Sequence, residues 1–143
     1  MTNSNVIAID GPSGVGKSTI ARAIADRLKY VYIDTGAMFR ALAVFFHRAG
    51  VEESDEIKIK ESLASLKFSY GESEKSLVSI NGEDLTLIIR EHHVSDLASR
   101  YSKVPEIRNY LAKMQKEIAS HRASVMEGRD IGTVIFPNAF LKI

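Results

Sequence analysis

The chain has 143 residues, 45% hydrophobic and 26% charged, a balance that suits one globular domain with a real core. Its 19 Lys and Arg against 18 Asp and Glu leave a formal net charge of +1, which gives no electrostatic case for a nucleic-acid or membrane-surface partner. Cysteine is absent, so disulfides, thiolate catalysis and zinc–thiolate sites are excluded. The polar start MTNSN reads as neither a signal peptide nor a membrane span, so the cytoplasm is the expected location.

Val6–Ile9 reads as a buried parallel strand running into DGPSGVGKST. Gly11, four residues, then Gly16, Lys17 and Ser18 fit the phosphate-cradling loop G-x-x-x-x-G-K-[ST]. Its glycines let the backbone turn tightly and aim successive N–H groups inward, and the helix that follows adds a partial positive charge. Ile20, Ile24 and Leu28, with Ala21 and Ala25 beside them, mark one face of that helix. Strand, loop, Lys-Ser pair and helix in this order point to a bound nucleoside triphosphate. Lys17 reaches the β and γ phosphates, and the Ser18 hydroxyl ligates Mg²⁺.

Tyr30–Ile33 reads as a second strand ending in Asp34-Thr35-Gly36, and AMFRALAVFFHRAG as an apolar helix stopped by Gly50. A polar helix is expected from Ser54, as its cap, through Leu66. Residues 67–86 change period and carry Asn81-Gly82, a strong two-residue hairpin signal, and read as a small antiparallel insertion. Helices return at about 87–102 and from Pro105 to Arg122. Ser124–Glu127 is a short strand, GRDIGTVIFPNA loop and turn, and FLKI another strand. Parallel strands are joined by helices that cover the sheet. A chain ending on a strand is therefore expected to be the N-terminal part of a longer protein.

No N-K-x-D base-reading motif of a GTPase is present, nor a long apolar strand ending Asp-Glu as in an ATP-driven motor. Instead Thr35, Arg40, Ser99, Arg108, Arg129 and Asp130 fall near the ends of expected elements. Strand C-termini are where open α/β sheets bind ligands, and this mixture suits an anionic acceptor. Plainer readings exist for each group. Asp34 is a helix cap, Arg40 and Arg108 are helix charges, and Arg129-Asp130 is a surface ion pair. Ser99 bonds back to its own helix, and His92-His93 is an exposed helix start.

GPSGVGKST, DTGAMFRA, INGEDLT with the following IR, ASRYSKVPEIR and EGRDIGTVIFPNA together resemble the bacterial cytidylate kinases, from the first strand to the last residue. The resemblance implies an α/β fold of the P-loop nucleoside-kinase kind. A parallel sheet is flanked by helices, a small antiparallel insertion binds the monophosphate, and the lid and last strand lie beyond Ile143. Residues 1–143 then form a single P-loop kinase domain that transfers the γ-phosphoryl group of ATP to CMP or dCMP in pyrimidine nucleotide metabolism. Gly11, Pro12, Ser13, Gly14, Val15, Gly16, Lys17, Ser18 and Thr19 would hold ATP, with Ser18 on Mg²⁺. Thr35, Arg40 and Arg129 would hold the acceptor monophosphate, and Ser99, Arg108 and Asp130 would read the cytosine. Lys17, Arg40 and Arg129 would act in catalysis. Phe39 stands where the family usually has Tyr, which removes a phenol and keeps the packing. The implied partners are small nucleotides, and the complete protein is expected to be a monomer. The alternatives are a small P-loop kinase for UMP, AMP or a metabolite, and a non-catalytic nucleotide-binding module.

Overall fold

The computed structural model describes residues 3–11, 16–71, 76–129 and 131–143. In chain order these form β1 (Asn3–Asp10), α1 (Lys17–Leu28), β2 (Val31–Asp34), α2 (Thr35–Arg48) and α3 (Glu56–Ser65). Three short strands follow, β3 (Phe68–Tyr70), β4 (Val78–Ile80) and β5 (Glu83–Asp84), then a 3₁₀ turn at Ile88–Arg90. The chain continues through α4 (His92–Tyr101), α5 (Pro105–His121), β6 (Ser124–Gly128), a π-helical turn at Ile131–Ile135, and β7 (Ala139–Lys142). Among the described residues no helix is long and apolar enough to cross a membrane. The chain divides into two compact units, residues 1–36 with 112–143, and residues 37–111.

The first unit is a four-stranded parallel sheet in the order β2-β6-β1-β7. All five residues of β6 are buried, as a strand with neighbours on both edges and cover on its faces requires. Ile7 and Ile9 of β1 and Val125 of β6 pack against Ala21 and Ala25 of α1, with Ile24, Tyr30 and Tyr32 around them. The buried face of α1 therefore differs from the expected one. Ile20 and Leu28 are about half exposed, at 51% and 48%. Two alanines bring the helix close to the strands, and the larger apolar residues on either side are left at the rim.

The second unit carries an antiparallel sheet in the order β3-β4-β5, within the expected insertion. Asn81 and Gly82 both have positive φ (51° and 85°), as a two-residue hairpin turn demands. The Asn81 side chain also accepts from Lys67 N at 2.8 Å. α2 begins two residues earlier than expected and stops at Gly50, whose N–H bonds His47 O while Val51 N–H bonds Phe46 O. That pair satisfies carbonyls the helix end would leave open. α3 is capped by Asp55, which accepts from Lys58 N at 3.2 Å, and not by Ser54. Phe46 stacks on Tyr101, whose hydroxyl donates to Val51 O at 2.5 Å.

Candidate functional site

Parallel pairing aligns the ends of three strands: Asp10 stands beside Gly128 and Asp34 beside Glu127. Gly11 continues β1 and donates its N–H to Gly128 O at 3.2 Å. Gly16 then opens α1 with φ +77°; a Cβ there would meet nothing within 4 Å, so backbone conformation and not space calls for glycine. No acidic residue occupies the first turn of α1, and its N-cap, Gly16, has no side chain to cap it. The positive end of that helix is left unopposed by nearby carboxylates of its own. Ser18 and Thr19 are exposed there. Pro12, Ser13, Gly14 and Val15 lie outside the described residues, as does Asp130.

Lys17 is folded against the sheet end. Its Nζ donates to Gly11 O at 2.7 Å and Gly128 O at 3.4 Å, and lies 3.9 Å from Glu127 Oε2. Glu127 is only 3% exposed, and its other oxygen accepts from the Tyr32 hydroxyl. Burial first, and then that hydrogen bond, push the Tyr32 hydroxyl well above the ordinary tyrosine range, so it stays protonated. The Arg22 guanidinium covers the Tyr32 ring, 5.2 Å from its centroid.

Thr35 is buried and donates from Oγ1 to Glu127 O at 2.9 Å. A Cβ at Gly128 would run into that same Oγ1, so here glycine provides space. Asp10 makes a further long-range link. Its Oδ1 accepts from Ile131 N at 2.7 Å and its Oδ2 from Gly132 N at 2.8 Å. Both N–H groups belong to the π-helical turn where a loop was expected, so the carboxylate caps that turn from β1.

The structure thus brings Lys17, Thr35 and the strand end before Arg129 together in one unit, with Arg129 itself exposed. Arg40 on α2, Ser99 on α4 and Arg108 on α5 belong to the second unit; Ser99 and Arg108 are exposed. His92 and His93 are exposed at the start of α4. Sequence reasoning missed Asp10, Tyr32 and Glu127. The available signal was an acidic residue closing an apolar run, in VIAID and SVMEG.

A profile of the cytidylate kinase family matches residues 7–143. The chain is also similar to three curated cytidylate kinases. It is 46% identical to that of Solibacter usitatus over 138 residues, 96% of this chain and 58% of the relative. It is 43% identical to that of Syntrophotalea carbinolica over 143 residues, 99% and 61%. The protein of Caldicellulosiruptor bescii is 47% identical over 141 residues, 96% and 61%. The chain thus spans about 60% of the length of these relatives.

Proposed function

The chain belongs to the cytidylate kinase family, and from that premise we propose that the protein phosphorylates CMP or dCMP with ATP, giving CDP or dCDP and ADP. The observation that carries the reading is Lys17. Its ammonium sits at the helix end, held by the carbonyls of Gly11 and Gly128 and 3.9 Å from the Glu127 carboxylate. Such a charge, beside a helix N-terminus without acidic residues, favours an incoming triphosphate. The loop from Gly11 to Thr19 is the donor site in this reading, including Pro12, Ser13, Gly14 and Val15.

Among the described residues there is no cluster of three His, Asp or Glu able to hold a metal ion, and Asp10 already spends both oxygens on backbone N–H groups. That donor set fits Mg²⁺ held chiefly by phosphate oxygens and water, with Ser18 as its protein ligand. The ion would offset charge on the transferring phosphoryl group. Thr35, Arg40 and Arg129 hold the acceptor monophosphate, and the guanidinium forks of the two arginines suit its oxygens. Ser99, Arg108 and Asp130 read the base. An ionised Asp130 only accepts hydrogen bonds and Arg108 only donates them, a pairing that matches N4 with N3 or O2 of cytosine and opposes uracil. Residues 67–86 form the monophosphate-side insertion of one P-loop kinase domain working as a cytoplasmic monomer.

A coupled assay with ATP–Mg²⁺ and a panel of CMP, dCMP, UMP and AMP tests the proposal. CMP and dCMP should be the best acceptors. Turnover that prefers UMP or AMP would replace the acceptor, and ATP binding without turnover on any of them would leave a nucleotide-binding module.

A further inference from the structure

We propose that Glu127 is a positioning residue that sets the resting place of the Lys17 ammonium and thereby tunes how tightly the loop takes a triphosphate. The inference rests on the reading of Gly11–Ser18 as a triphosphate loop. A carboxylate that is 3% exposed, on a strand buried at all five positions, persists in charged form only with partners. Among the described residues Glu127 has two, one on each oxygen: the Tyr32 hydroxyl and the Lys17 ammonium at 3.9 Å. Tyr32 fixes the direction of the carboxylate, and the Arg22 guanidinium lies over the tyrosine ring.

Seen from Lys17, three oxygens among the described residues compete with an incoming phosphate: Gly11 O, Gly128 O and Glu127 Oε2. The two carbonyls are neutral and belong to the backbone frame. Glu127 alone carries charge, so it is the competitor that a side-chain change can remove. It opposes the triphosphate twice, by holding the lysine and by repelling the anion.

The variants Glu127→Gln and Tyr32→Phe move this balance in opposite directions. Glutamine keeps the volume and an acceptor for Tyr32 while discharging the site, so ATP should bind roughly tenfold tighter. Phenylalanine removes the hydroxyl that shares the carboxylate's charge, so Glu127 leans wholly on Lys17 and ATP should bind roughly threefold more weakly. The double variant should behave like Glu127→Gln, since Tyr32 acts only through the charge. A purely structural role would weaken binding in all three.

The experiment is titration calorimetry with ATP, with Mg²⁺ and again in EDTA, on proteins whose folding is checked by circular dichroism melting. Tighter binding by Glu127→Gln in EDTA, with weaker binding by Tyr32→Phe, supports the assignment. Weaker binding by Glu127→Gln confined to the Mg²⁺ arm would give the carboxylate to the metal and overturn it. If Glu127→Gln does not fold, Tyr32→Phe can still overturn the proposal: unchanged or tighter binding ends it. A wild type that binds no ATP in either arm would sink the triphosphate reading and this inference with it. Wild-type binding with no gain in Glu127→Gln sinks only the inference.

Discussion

In the unit with the parallel sheet, the hydrogen bonds that shape the strand ends join residues far apart in the chain. Asp10 reaches Ile131 and Gly132, Tyr32 reaches Glu127, and Thr35 reaches Glu127 O, over separations of 121, 122, 95 and 92 residues. Around the antiparallel insertion the bonds are mostly short in sequence. Asn81 holds Lys67 over 14 residues, Asp84 holds Thr86 over two, and Asp55 caps α3 over three. Even the glycines differ, since Gly82 is there for its φ and Gly128 for the room it leaves Thr35. Local turn chemistry is enough to build an insertion. A charged site at a sheet end needs the strand order first.

The sharpest way to break the first region is Lys17→Ala. Activity should fall by about 10²–10³-fold, the scale of removing one preorganised donor from a charged transition state. The same change strips Glu127 of its ammonium, so stability should fall by about 1–3 kcal/mol. Steady-state rates and urea unfolding read the two losses separately, and full activity in the folded variant would remove Lys17 from the donor site.

Gly128→Ala comes next, at about 1–3 kcal/mol of stability, because its Cβ displaces a buried hydroxyl. Gly82→Ala should cost about 1–2 kcal/mol for backbone strain alone. Asparagine sharpens the contrast. It tolerates left-handed φ, so it should restore most of the loss at 82 and deepen it at 128. Equal responses in denaturant midpoint would erase the distinction between space and conformation.

Asp55→Ala should cost about 1 kcal/mol, the usual worth of a helix cap, with no change in nucleotide binding. Ser54→Ala should leave the melting temperature unaltered, and the reverse ranking would restore Ser54 as the cap.

The smallest effect is a pH dependence. The Tyr32 hydroxyl is raised above its ordinary value of 10.0, so the folded chain keeps a proton that the unfolded chain releases in alkali. That contribution is complete below pH 10 and is lost as pH climbs toward the raised folded value. The stability gap between wild type and Tyr32→Phe should therefore narrow as pH rises past 10 in urea titrations. A constant gap would place the Tyr32 ionisation at its ordinary position.

The features legible in the sequence were those that a few adjacent residues decide. The strand ending at Asp10 with a helix opening at Lys17, the Asn81-Gly82 turn, the Gly50 stop and Pro105 at the first position of α5 all belong to this class. Ile20 and Leu28 misled because helical spacing reports a face but not how near the sheet approaches; alanine contact left them at the rim. Ser54 and Asp55 are adjacent candidates for one cap, and only the helix phase chooses between them. Asp10 and Glu127 were illegible as site residues because their partners are set by β6 entering beside β1 and β2, which no local period encodes.

The place of β6 between β1 and β2 also bears on synthesis. β1 and β2 are made early, yet neither pairs with the other, and the strand that joins them begins only at Ser124. At translation rates of about 5–20 residues per second, the β1 strand waits roughly 6–24 s on the ribosome before that neighbour exists. Its apolar edge is meanwhile open to any other extended chain. The insertion, whose strands span only residues 68–84, meets no such delay. A nascent chain paused ahead of Ser124 is thus the stage at which misassembly competes most strongly with folding, and the stage a ribosome-bound chaperone would serve best.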